Sequence, residues 1–138
     1  MLLNTDDRYD RLLGRFYDFT LFSKILNHYI DQRGLQAKEL AILACIGEST
    51  ISAWRRDHYM PKNSDQVALM LKALNLTRGE QEIFWKSFHI QHFVNNLREQ
   101  AESEYRHGLI TLARIDDMEN NLDAFRKFIE SLPFDIDI

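Results

Sequence analysis

One stretch of seventeen residues narrows the possible fold more than any other. Leu40-Ala41-Ile42-Leu43-Ala44-Cys45-Ile46-Gly47-Glu48-Ser49-Thr50-Ile51-Ser52-Ala53-Trp54-Arg55-Arg56 reads as two short helices joined by a tight turn. In a unit that opens at Ala37, the fifth place is Ala41, where two steeply crossing helices leave room for little more than a methyl group. Ile51 and Trp54 are three apart on the second helix, so both point back into a core and set the angle of that helix against the first. Glu48, Ser49, Ser52, Ala53 and Arg56 are then expected to face outward.

Short polar side chains at the start of such a helix reach base edges in a major groove, and the arginines at its far end suit phosphate oxygens. The segment from about Leu21 to Phe88 resembles the phage-repressor and Cro-like helix-turn-helix family, the XRE family. The resemblance is carried by Lys38-Glu39-Leu40-Ala41, by Ser49-Thr50-Ile51-Ser52-Ala53-Trp54-Arg55-Arg56 and by Pro61. It implies an all-α, five-helix lambda-repressor-like domain in which the second and third helices form the motif. It also implies dimeric binding to inverted repeats in double-stranded DNA. Carried over to this chain, the base-reading positions are Glu48, Ser49 and Ala53, with Thr50 and Ser52 beside them. Lys38, Arg55, Arg56 and Lys62 are the expected phosphate contacts. Two departures stand out. Cys45 occupies the turn position where the family has glycine, with Gly47 two residues later, which predicts a reshaped or strained turn. The reading face opens on Glu48, whose carboxylate accepts from a cytosine amino group but repels a phosphate.

The flanking pattern predicts the other helices of this unit. Leu21, Phe22, Ile25, Leu26, Tyr29 and Ile30 recur at helical spacing and stop at Arg33-Gly34. After Pro61, Asn63 or Ser64 is placed to cap a helix carrying Val67, Met70, Leu71 and Leu74. Thr77-Arg78-Gly79-Glu80 has capping-box spacing, and a helix from there buries Ile83, Phe84 and Phe88 and continues toward His107, with Gly108 marking its end.

The expected organisation is therefore an N-terminal helical extension over 1–20, a helix-turn-helix domain over 21–88 and a C-terminal helical region over 89–138. Leu12, Leu13, Phe16, Tyr17 and Phe19 make the extension a helix laid over the core or across a partner subunit. In the C-terminal region Ile115, Met118, Leu122, Phe125, Ile129 and Leu132 alternate in steps of three and four, a heptad seam that supports a homodimer. The alternative for the same seam is a helix laid onto its own domain. Beyond Pro133, Phe134, Ile136 and Ile138 alternate with Asp135 and Asp137, which fits either a strand or a frayed acidic tail.

Charge and composition set the limits on function. The chain carries −4 overall, but residues 21–88 hold nine basic against seven acidic side chains, a net of +2, which leaves −6 on the flanks. DNA affinity per subunit is expected to be modest and steeply salt-dependent. With one cysteine, Cys45, no internal disulfide forms, and the longest apolar run, Leu40 to Ile46, is too short for a bilayer; a cytoplasmic protein without membrane contact is expected. His89 and His92 lack further ligands at metal spacing, Glu99, Glu102 and Glu104 read as a solvated face, and nothing adjacent activates Cys45. No cofactor, metal or catalytic residue is expected, and the chain reads as a regulator, in the simplest case a repressor on a palindromic operator, and not as an enzyme. The alternative is an antitoxin-like interaction module whose C-terminal region binds a partner protein.

Overall fold

The computed structural model describes residues 4–138 and is all-α, with no strand among those residues. The first three residues of the expected N-terminal extension lie outside the described residues. In chain order the helices are α1 (Thr5–Asp18), α2 (Leu21–Arg33), α3 (Ala37–Ala44), α4 (Glu48–Arg55), α5 (Ser64–Ala73), α6 (Arg78–Arg106), α7 (Leu112–Ala124) and α8 (Arg126–Glu130). The described residues divide into two compact units: one spans Thr20–His89, and the other joins the described residues up to Phe19 to Ile90–Ile136. The 29-residue helix α6 contributes its first part to one and its second part to the other.

Helix ends follow local chemistry. Asn63 caps α5 by accepting from the Gln66 amide at 3.0 Å. Thr77 and Glu80 form both bonds of a capping box, Thr77 N–H to Glu80 Oε1 at 2.9 Å and Glu80 N–H to Thr77 Oγ1 at 3.3 Å. The same Glu80 oxygen takes Arg33 Nη2 at 2.5 Å, and this neighbour holds the carboxyl below its ordinary range. Arg33 Nε also donates to the Leu74 carbonyl at 3.0 Å, so one guanidinium ties the end of α2 to the start of α6 and the end of α5.

In the unit over Thr20–His89 the predicted apolar stripe of α2 is buried: Leu21, Phe22, Ile25, Leu26, Tyr29 and Ile30. Phe22 meets Phe84 edge to face at 5.3 Å between ring centres and Phe88 at 6.0 Å, the offset geometry that aromatic quadrupoles favour. Burial pushes the Tyr29 phenol up to about 12, so it stays neutral in any ordinary buffer. Ile83, expected in the core, is only half-buried. Ser87 is fully buried in its place and donates to the Phe84 carbonyl at 2.7 Å.

The other unit pairs α1 with α7. Tyr9, Leu12, Phe16 and Phe19 are spaced three, four and three apart and all are buried, as are Ile115, Met118 and Leu122. Arg8 pairs with Asp116 and Arg15 with Asp123, so both helices run in the same direction. Ile90, Val94, Leu97 and Ala101 of α6 complete this core. Gln91 is buried here too, donating to the Phe19 carbonyl at 2.8 Å. Tyr105 is 38% exposed and stacks flat on Tyr9 at 3.9 Å.

For part of the heptad seam this arrangement matches the alternative of a helix laid onto its own domain. Ile115, Met118 and Leu122 are spent on the chain's own α1, and the rod carrying the rest is interrupted at Phe125. The Phe125 ring meets Phe19 at 6.2 Å and Phe93 at 5.8 Å. Its amide bonds Leu122 three residues back, tightening the last turn of α7. Ile129 lies on the separate helix α8, Leu132 falls beyond it, and both are half-buried. The extension is a helix, as expected, and α1 packs on α7 within one unit. The segment after Pro133 forms no strand.

The turn between α3 and α4 is strained as the sequence predicted. Cys45 adopts φ 55°, ψ 38°, in the left-handed region, and Gly47 does not relieve it, having φ −58°. The turn closes with Ile46 N–H to the Ala41 carbonyl at 3.2 Å and Cys45 N–H to the Ile42 carbonyl at 3.3 Å, a Schellman pair. A left-handed L-residue costs about 1–2 kcal/mol, against about 0.5–1 kcal/mol for the extra chain entropy of a glycine. Cys45→Gly is therefore expected to stabilise the protein by about 0.5–1 kcal/mol. A thermal midpoint that rises by about 2–4 °C on a melt followed by circular dichroism checks it.

Candidate nucleic-acid interface

Helix α4 is braced from behind and open in front. Ile51 and Trp54 are each 1% exposed and face the core, where α4 packs against α2 and α3. Ala41, expected at the close crossing, is half-buried, while Ala44 one turn later is fully buried. On the outer side Glu48 and Ser49 are exposed, and Thr50 and Ser52 are half-buried. Glu48 stands in the first turn, where the partial positive charge of the helix terminus favours a carboxylate. The amides of Thr50 and Ile51 bond the Gly47 carbonyl, each at 3.1 Å, and no side chain caps this end.

Ala53 does not face outward as expected; it is 7% exposed. Asp57 takes φ 58° and the chain folds back, with His58 N–H bonding the Ala53 carbonyl at 2.9 Å. With Ala53 buried, the open surface shortens to Glu48, Ser49, Thr50 and Ser52.

The four expected phosphate contacts differ in how they are held. Lys38, Lys62 and Arg56 are exposed, and the Lys62 amide donates to Gln66 Oε1 at 2.9 Å. Arg56 leans back along the helix, its Nε 3.4 Å from the Ser52 carbonyl. Arg55 is fixed instead. Its Nε donates to Asn27 Oδ1 at 2.7 Å, its Nη2 lies 3.5 Å from Asp31, and its carbonyl accepts from Asn27 Nδ2 at 2.9 Å. Asn27, Asp31, Ser52, Arg55 and Arg56 line one notch between α2 and α4.

Asn27 and Asp31 were not among the residues the sequence put forward. Their signal is slight: two polar residues one turn apart on a helix that also carries Lys24, His28 and Gln32, which reads equally well as its solvated side. Elsewhere, His89 stacks on Trp85 at 5.9 Å, and Cys45 is exposed at the turn. Among the described residues no three or more His, Cys, Asp or Glu side chains gather as metal ligands do, and no helix is long and apolar enough to cross a membrane.

With this geometry in view, the chain was compared with known proteins, and no family model, curated protein or solved structure matches it.

Proposed function

We propose that the Thr20–His89 unit is a sequence-specific DNA-binding module of the phage-repressor and Cro-like helix-turn-helix type, and that the protein regulates transcription. The observation that carries this reading is α4 itself. A short helix follows a tight left-handed turn, is braced by Ile51 and Trp54, and leaves a small polar outer face that ends in cations. In the proposed mode Glu48 and Ser49 read base edges with Thr50 and Ser52 beside them, while Lys38, Arg56 and Lys62 meet phosphates. A dimer on an inverted repeat is the natural form for a unit with so few cations. Its contact surface lies away from Ile115, Met118 and Leu122, which α1 covers. Repression by occupying a promoter is the simplest outcome.

Selection of bound duplexes from a random pool at stated salt tests this reading. Enrichment of an inverted repeat is the expected result, and a pool that never departs from random overturns it. On the selected site, Glu48→Gln is expected to change preference at one base pair by about 1–3 kcal/mol, checked by competition among single-base variants. Arg56→Ala is expected to weaken binding to all sequences alike and to lower the slope of log affinity against log salt by about one, checked by titrations over a salt series.

A second reading has one observation in its favour. Leu109 and Leu112, beside the left-handed Gly108 turn, are 68% and 42% exposed, an apolar tip suited to a partner protein as in an antitoxin-like module. Isolation of a stoichiometric companion, lost on Leu109→Asp, would establish it.

A further inference from the structure

The notch between α2 and α4 contains more than the expected arginines. Asn27 is bound to Arg55 at two points, accepting from Nε at 2.7 Å and donating to the backbone carbonyl at 2.9 Å. The amide has one productive orientation here, because the reverse would set amino group against Nε–H and oxygen against carbonyl. It satisfies one of the carbonyls left over at the end of α4 and fixes the plane of the guanidinium. The remaining partner is weak. Asp31 sits 3.5 Å from Nη2 with its side chain 74% exposed, a pair of the kind that contributes little in water. Ser52 and the exposed Arg56 complete the rim, and Asp31 is the one acidic group lining it. Two guanidinium groups thus share a polar notch with a single loosely held carboxylate.

We propose that this notch is a seat for one phosphate of a nucleic-acid backbone, in which Asn27 orients Arg55 and Asp31 is a placeholder that the phosphate displaces. The inference rests on the DNA-binding reading and deepens it. Arg55 passes from a monodentate, solvated carboxylate to a phosphate oxygen, and Asn27 keeps the guanidinium from following Asp31 out into solvent. Asp31 therefore acts as a brake on affinity, and Asn27 is a positioning residue.

The test compares Asp31→Asn, Asn27→Ala, Arg55→Ala and the double variant Asn27→Ala/Arg55→Ala in the full chain, with thermal melts confirming the fold. Asp31→Asn is expected to tighten binding to duplexes of any sequence by about 3- to 10-fold at low salt, with the gain shrinking as salt is added. Asn27→Ala is expected to weaken it by a similar factor, and the double variant to bind no worse than Arg55→Ala alone. Unchanged or weaker binding by a folded Asp31→Asn protein overturns the proposal, as does full additivity in the double variant. A second arm needs no DNA: the Arg55 Nε–H resonance is followed while inorganic phosphate is added. If the wild-type protein binds no duplex, the DNA reading falls. A resonance that then moves, and moves at lower phosphate in Asp31→Asn, keeps the seat as an anion site; one that stays still in both proteins removes it.

Discussion

Trp54→Ala is expected to lose about 3–5 kcal/mol of folding stability, a large share of the roughly 5–15 kcal/mol that holds a domain of this size. Trp54 is 1% exposed and forms the back of α4, so its removal opens a cavity behind the one helix that the proposed function depends on. Its indole N–H is also buried without a hydrogen-bond acceptor, a group that weighs against the native state. Trp54→Phe keeps most of the apolar volume and removes that donor, so it is expected to cost at least 2 kcal/mol less than the alanine change. Urea unfolding followed by circular dichroism measures both. Equal losses for the two variants would show that the ring does not brace α4.

Met118→Ala is the second large effect, about 2–5 kcal/mol, and its dependence on protein concentration is more telling than its size. Met118 is fully buried in the unit that contains α1 and α7. If α7 is served by α1 of the same chain, Met118→Ala lowers the unfolding midpoint by the same amount at every protein concentration and leaves any concentration dependence of wild type, from a contact elsewhere, in place. A seam between two copies at α7 would instead make the midpoint rise with concentration in wild type and not in the variant. Melts over a hundredfold range of concentration separate these cases, and a concentration-dependent midpoint abolished by Met118→Ala would return α7 to the dimer interface.

Much of the helical layout was legible because its determinants are local. The stop of α2 at Gly34, the Asn63 cap, the Thr77/Glu80 box and the left-handed Cys45 each depend on a few consecutive residues and the backbone bonds they make. The inward face of α4 was equally readable, since Ile51 and Trp54 lie three apart. Its outward face was less so. Ala53 is 7% exposed although the spacing placed it outward, because burial of so small a side chain depends on what packs around it and not on its own periodicity. Arg55 and Arg56 look alike in the sequence, yet one is clamped by Asn27 and the other is exposed, because a separation of 28 residues decides it.

By itself the sequence determined that this chain is helical, where most helices begin and end, and which face of each is apolar, because capping and 3.6-residue periodicity act within a turn or two. What an apolar face packs against was decided only by the tertiary structure. The three-and-four spacing on α7 states that Ile115, Met118 and Leu122 need a complementary helix, and it is silent on whether that helix belongs to a second copy. Tyr9, Leu12, Phe16 and Phe19 supply it from more than a hundred residues away, with Arg8 and Arg15 setting the register against Asp116 and Asp123. Hydrophobic burial is non-directional, so a pattern along one strand of sequence fixes the demand for a partner and leaves its identity to the three-dimensional fold.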